Sequence, residues 1–212
     1  MARAVEVGIG PLLEAVDGAP DRFLLGITGP PGAGKSTIAA AVERAANGQR
    51  GPSFAVVAPM DGFHLSNEEL DALGLRNVKG APETFDAHAF VRLLEHVRTE
   101  VGSTVLWPGF DRSIEQTLPG AIAIGPATRL VVVEGNYLLL DRLGWRDVRG
   151  LLDEVWYVDA PREVLRRRLL TRALAGNRTE AEACKHVDGS DLRNAELVAA
   201  TKAAADRVLP GA

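Results

Sequence analysis

The feature that most constrains this chain is the run FLLGITGPPGAGKSTIAA, in which a short apolar stretch ends in a glycine-rich turn and then becomes alanine-rich. The turn, GPPGAGKST from Gly29 to Thr37, fits the pattern G-x-x-x-x-G-K-[ST]. It sits where that pattern has physical meaning, after a predicted buried strand (Phe23–Thr28) and before a predicted helix from Lys35. Glycines at 29, 32 and 34 let successive N–H groups turn toward phosphate oxygens, and the helix start adds its positive end. Gly29, Gly32, Ala33, Gly34, Lys35, Ser36 and Thr37 are therefore expected to hold a nucleoside triphosphate, with Lys35 at the β- and γ-phosphates and the Ser36 hydroxyl on Mg²⁺.

The remaining pattern extends one fold. Phe54–Met60, Ser103–Trp107, RLVVV before Glu134, and Glu154–Ala160 read as strands, the long apolar ones as buried. Segments near Ala4–Val16, from Asp86 through DAHAFVRLLEHVRTEV, PREVLRRRLLTRAL, and Leu192–Val208 read as helices. Strands alternating with helices predict an α/β three-layer fold, a mainly parallel sheet covered on both faces. At 212 residues without repeats the chain reads as one domain, 1–212.

Charge and composition exclude several classes. The net charge of −4 gives no nucleic-acid footprint, although arginines crowd between Arg162 and Arg178. No 18 apolar residues run together, so no membrane partner is expected, and one cysteine allows neither an internal disulfide nor a cysteine zinc site. A cytoplasmic location is the expectation. Oligomeric state is not legible at this level.

Ligands of a parallel sheet collect at the carboxyl ends of its strands. Two acids fall there, Asp61 after FAVVAPM and Glu134 after RLVVV. Phosphoryl transfer to a hydroxyl needs one carboxylate at the acceptor and one near the metal, and these two can divide those tasks. Taken alone, Asp61-Gly62 is also an ordinary turn pair, and Glu134 an ordinary strand-end acid.

DGFHLSNEEL (Asp61–Leu70) followed by KGAPETFDAHAF (Lys79–Phe90) resembles the type I pantothenate kinases and, more broadly, the uridine kinase and phosphoribulokinase group. The resemblance spans about 23–159. It implies a P-loop kinase fold, with Asp61 as catalytic base and Glu134 as the metal-site acid. It also implies that arginines on the 162–175 segment close over ATP: Arg168, Arg172 and Arg178, in a lid at roughly 166–180. LWPGFDRS (Leu106–Ser113) departs from the pantothenate kinase pattern and looks closer to sugar- or nucleoside-kinase-like relatives.

On the acceptor side the candidates are His64, Lys79, Phe85, Arg112 and Tyr137, and Asn194 is placed near the adenine. Each has a plainer reading: a loop histidine, a helix-capping loop ending at Asp86, a surface pair of Arg112 with Asp111 or Glu115. The expected activity is ATP-dependent transfer to a hydroxyl of a small metabolite such as a nucleoside, a sugar or pantothenate. Two other readings stand beside it. A regulatory GTPase lacks its N-K-x-D segment here, and its D-x-x-G matches at Asp71 and Asp147 follow no buried strand. A nucleotide-binding ATPase module without an acceptor remains the alternative.

Overall fold

The computed structural model describes residues 2–142, 144–176 and 179–211, with side chains from Gly8 onward. Five strands form a parallel sheet: β1 (Phe23–Thr28), β2 (Ala55–Pro59), β5 (Leu130–Glu134), β6 (Glu154–Asp159) and β7 (Arg207–Pro210), in the order β2-β5-β1-β6-β7. A separate antiparallel hairpin joins β3 (Val105–Asp111) to β4 (Gln116–Ile124).

Alternation along each strand sends neighbours to opposite faces, and both faces are covered. Leu25, Ile27, Leu130, Val132 and Trp156 join one apolar cluster with α1 (Ala2–Gly18), α2 (Lys35–Arg50) and α5 (Arg162–Ala175). Leu24, Val131, Val133 and Tyr157 join the other, with α4 (Ala87–Thr99) and the buried face of the hairpin. That arrangement is the predicted three-layer α/β fold. Asp86 caps α4 by accepting from the Ala89 amide at 2.8 Å, and Gly176 ends α5. α3 (Asn67–Ala72) starts with a capping box between Ser66 and Glu69.

Two expectations are corrected. Of Ser103–Trp107 only Val105–Trp107 is strand, the first part of β3, whose partner β4 was not predicted. The tail is helical only in part. α6 (Glu180–His186) runs through a π-turn (Val187–Asp191) into α7 (Leu192–Ala199), and Arg207–Pro210 is then the parallel edge strand beside β6. Alanine-rich composition favours helix locally, but Val208 and Leu209 gain ladder bonds opposite Tyr157 and Val158.

The hairpin is held against the turn that follows β2. The Trp107 indole N–H donates to the Pro59 carbonyl at 2.9 Å, and a Cβ on Gly62 would stand 2.3 Å from the Pro108 carbonyl oxygen. Only a residue without a side chain permits that approach. Gly62→Ala is expected to cost about 1–3 kcal/mol as the backbones separate. A melting curve should show a fall of several degrees, on a scale of about 2–4 °C per kcal/mol for a chain this size. An unchanged Tm would mean the hairpin adjusts freely.

Candidate active site

The strand order brings distant residues together. β5 lies between β2 and β1, and Glu134 is in register with both Pro59 and Ile27. Two residues beyond each of those stand Asp61 and Gly29. Glu134 therefore occupies the strand end between the Asp61 turn and the glycine-rich loop, where a parallel sheet binds ligands.

In that loop Gly29, Gly32 and Gly34 all have positive φ (145°, 83° and 101°). A Cβ on Gly29 would lie 2.4 Å from the Val158 carbonyl oxygen, so the loop is shaped by the strand beside it. No side chain caps the start of α2, where Gly34 is left-handed; its first amides stay available to an anion. Lys35 is 7% exposed and its Nζ donates to the Pro30 carbonyl at 3.1 Å. Burial pushes its pKa down, while Glu134 and Asp61 act in the opposite direction and Arg172 and Arg112 add to the depression.

Glu134 is 8% exposed. Burial raises its pKa, and Lys35 chiefly opposes that rise. The Ser36 hydroxyl donates to Glu134 Oε2 at 3.2 Å. Two oxygen donors thus stand side by side at the loop, a set suited to a hard divalent cation that also takes phosphate oxygens. Thr37 is exposed on the first turn of α2, and Ala33 is buried within the loop.

The Asp61 carboxylate accepts from the Arg112 guanidinium, which reaches over from the hairpin tip. Glu115, on the same tip, pairs with Lys79 at 2.9 Å, and Lys79 also donates to Asn67 Oδ1 at 2.8 Å. His64 follows in the same turn as Asp61, its ring against Phe85 and Phe110. Asp61, His64, Lys79 and Arg112 therefore form one cluster between the hairpin and the turn after β2.

Two of the predicted acceptor contacts prove to be inside. Tyr137 is fully buried and its hydroxyl donates to the Gly80 carbonyl, so it anchors the Lys79–Gly80 loop from beneath. Phe85 is 6% exposed and backs the His64 ring. Phe110 and Asn67 were missed by sequence reasoning; WPGFDRS flagged the segment, but nothing in it singled out the ring.

Arg168 lies across the glycine-rich loop, its Nη1 donating to the carbonyls of Gly32 and Ala33 at 3.2 and 3.4 Å. Arg172, one turn later, is near enough to act on Lys35. Arg178 lies outside the described residues. Beside the loop is a cavity of about 670 Å³ lined by Asp159, Pro161, Arg167, Arg168 and Val208 through Gly211. Asn194 is buried at 8% exposure on α7 and does not line it.

A glycine-rich cradle at the end of β1, a buried lysine and a strand-end acid beside the helix hydroxyl define a P-loop nucleotide-binding protein. Comparison with known proteins narrows the class. A Schizosaccharomyces pombe protein described as a candidate uridine kinase is 36% identical over 194 residues, covering 89% of this chain and 83% of that one. An Aspergillus versicolor protein described as ATP-dependent kinase-like is 34% identical over 161 residues, covering 72% and 94%. The crystal structure of a candidate fructose transport system kinase from Silicibacter sp. TM1040 superposes with a TM-score of 0.89 at 38% identity, covering 97% and 98%. No protein-family model matches the chain. The chain belongs to the uridine kinase-like, ATP-dependent P-loop kinases. Among the described residues no helix is long and apolar enough to cross a membrane.

Proposed function

We propose that this kinase transfers the γ-phosphoryl group of ATP to a hydroxyl of a small metabolite, with Asp61 as the base. The observation that carries the reading is the alignment of Asp61, Glu134 and the glycine-rich loop at three neighbouring strand ends, with Lys35 feeling both carboxylates. The acceptor oxygen forms a bond to the γ-phosphorus while the bond to the β,γ-bridging oxygen breaks. ADP leaves, and the hydroxyl proton passes to Asp61.

Each role follows from chemistry at the site. The amides of Gly29 to Thr37 and the Lys35 ammonium hold the triphosphate. Ser36 and Glu134 would hold Mg²⁺, which would supply charge neutralisation to the phosphates. Arg168 and Arg172 lie on the loop side of α5, where cations offset the charge on the transferring group. They belong to the part of a lid that α5 supplies, in a chain that works as one domain. The cavity between α5 and β7 receives the nucleobase, because it opens directly beside the loop and offers backbone groups of Val208–Gly211.

The relatives' names point to a nucleoside and to a sugar, and both carry hydroxyls that fit this reading. The test is ADP formation across a panel of nucleosides, sugars and pantothenate-like compounds. Turnover that depends on one hydroxyl compound is expected. ATP turnover indifferent to every acceptor would favour an ATPase module instead.

A further inference from the structure

The acceptor opening contains a ring with unusually little freedom. His64 Nδ1 is 2.8 Å from the Asp61 carbonyl oxygen, an atom that can only accept. The nitrogen there must carry the hydrogen. Phe85 and Phe110 lie 4.0 and 4.7 Å from the imidazole centre at interplanar angles of 39° and 32°. Rings side by side in a plane cannot approach so closely, and two rings cannot stack on one face of an imidazole. Both faces of His64 are therefore covered.

Burial pushes the His64 pKa down, with Asp61 opposing and Lys79 and Arg112 reinforcing the shift, which favours the neutral ring. What it still offers is the Nε2 edge, a lone pair that no donor among the described residues occupies. The same environment leaves little ring face for a flat ligand. Phe85 is buried, and the Lys79 ammonium stands over Phe110, 5.7 Å from its centre. The rest of the cluster is polar: Asp61 pairs with Arg112, and Lys79 with Glu115 and Asn67, a set of donors and acceptors.

We propose that His64 determines specificity by accepting a hydrogen bond at Nε2, so that the acceptor is a sugar or polyol giving one hydroxyl to Asp61 and a second to His64, not a heterocycle held by its face. This rests on the kinase reading above. It adds the acceptor's chemical class and the residue that reads it.

The test uses the full chain with D-fructose, D-ribose and uridine as probes, comparing wild type with His64→Asn and His64→Gln. Asparagine can keep the donor to the Asp61 carbonyl but cannot reach the Nε2 position. Glutamine can place its carbonyl oxygen there. For the preferred sugar, kcat/KM is expected to fall about tenfold or more in His64→Asn and to stay within about threefold in His64→Gln. ATP affinity should not move, and the two variants, which lose the same ring contacts with Phe85 and Phe110, should melt at similar temperatures, so a difference in kcat/KM between them separates this role from a structural one. Imidazole nitrogen spectra should show the Nδ1–H tautomer, with Nε2 shifting when the sugar is added.

A preference for uridine over both sugars, or a His64→Asn enzyme equal to wild type, overturns the inference and leaves the kinase reading standing. Wild-type ATP turnover indifferent to every acceptor overturns both.

Discussion

Asp61→Asn is expected to lower phosphoryl transfer by about 10²–10⁴-fold, the usual worth of a positioned general base, while ATP affinity stays within about twofold. The separation follows from where Asp61 stands. It is on the turn after β2, outside the glycine-rich loop, and it accepts from Arg112 on the hairpin tip. Asparagine can still accept from Arg112 and occupies nearly the same volume, so the opening keeps its shape. What disappears is the carboxylate proposed to take the acceptor's proton. Steady-state kinetics with the preferred acceptor, beside an equilibrium titration with ATP, measures both quantities. If affinity and turnover fall together, Asp61 is structural, and the assignment of the base fails with it.

Lys35→Met should do the opposite and affect both. The ammonium is buried against the loop and stands within the fields of Glu134 and Asp61. Methionine fills the space without the charge. The triphosphate then loses a direct counter-charge, and Glu134 loses the neighbour that chiefly opposes the burial-driven rise of its pKa. The sign is fixed by that relation. Without Lys35, Glu134 holds its proton to higher pH, and a protonated acid is a poor metal ligand. ATP affinity is expected to weaken by about tenfold or more and turnover by about a hundredfold or more, or about 2.8 kcal/mol of barrier. Raising the pH should recover part of the metal-dependent loss in the variant and little in wild type. A Lys35→Met enzyme with wild-type turnover would remove the loop from the chemistry.

The phosphate cradle was legible because its requirements are local. Glycines at set spacing, a lysine and a hydroxyl residue, between an apolar strand and a helix, leave few other uses for that order of residues. The strands β1, β2, β5 and β6 were legible for a related reason: a strand buried on both faces is a continuous apolar run. β4 was missed because QTLPGAIAI carries Pro119 and Gly120 and lies largely exposed, so neither composition nor burial marked it. β7 is four residues long after an alanine-rich stretch, and it is a strand only because β6 offers an edge.

Function divides along the same line. From the sequence came the glycine-rich loop and the two strand-end acids, each announced by its immediate neighbours, while the arginines of α5 were singled out by the family resemblance. The tertiary structure alone decided which side chains gather around Asp61. Arg112 meets Asp61 across 51 positions and Glu115 meets Lys79 across 36, while Tyr137 turns inward to the Gly80 carbonyl. Such contacts depend on how the hairpin packs against the turn after β2, and no local pattern of residues encodes a distance between two segments that meet only when the chain has folded.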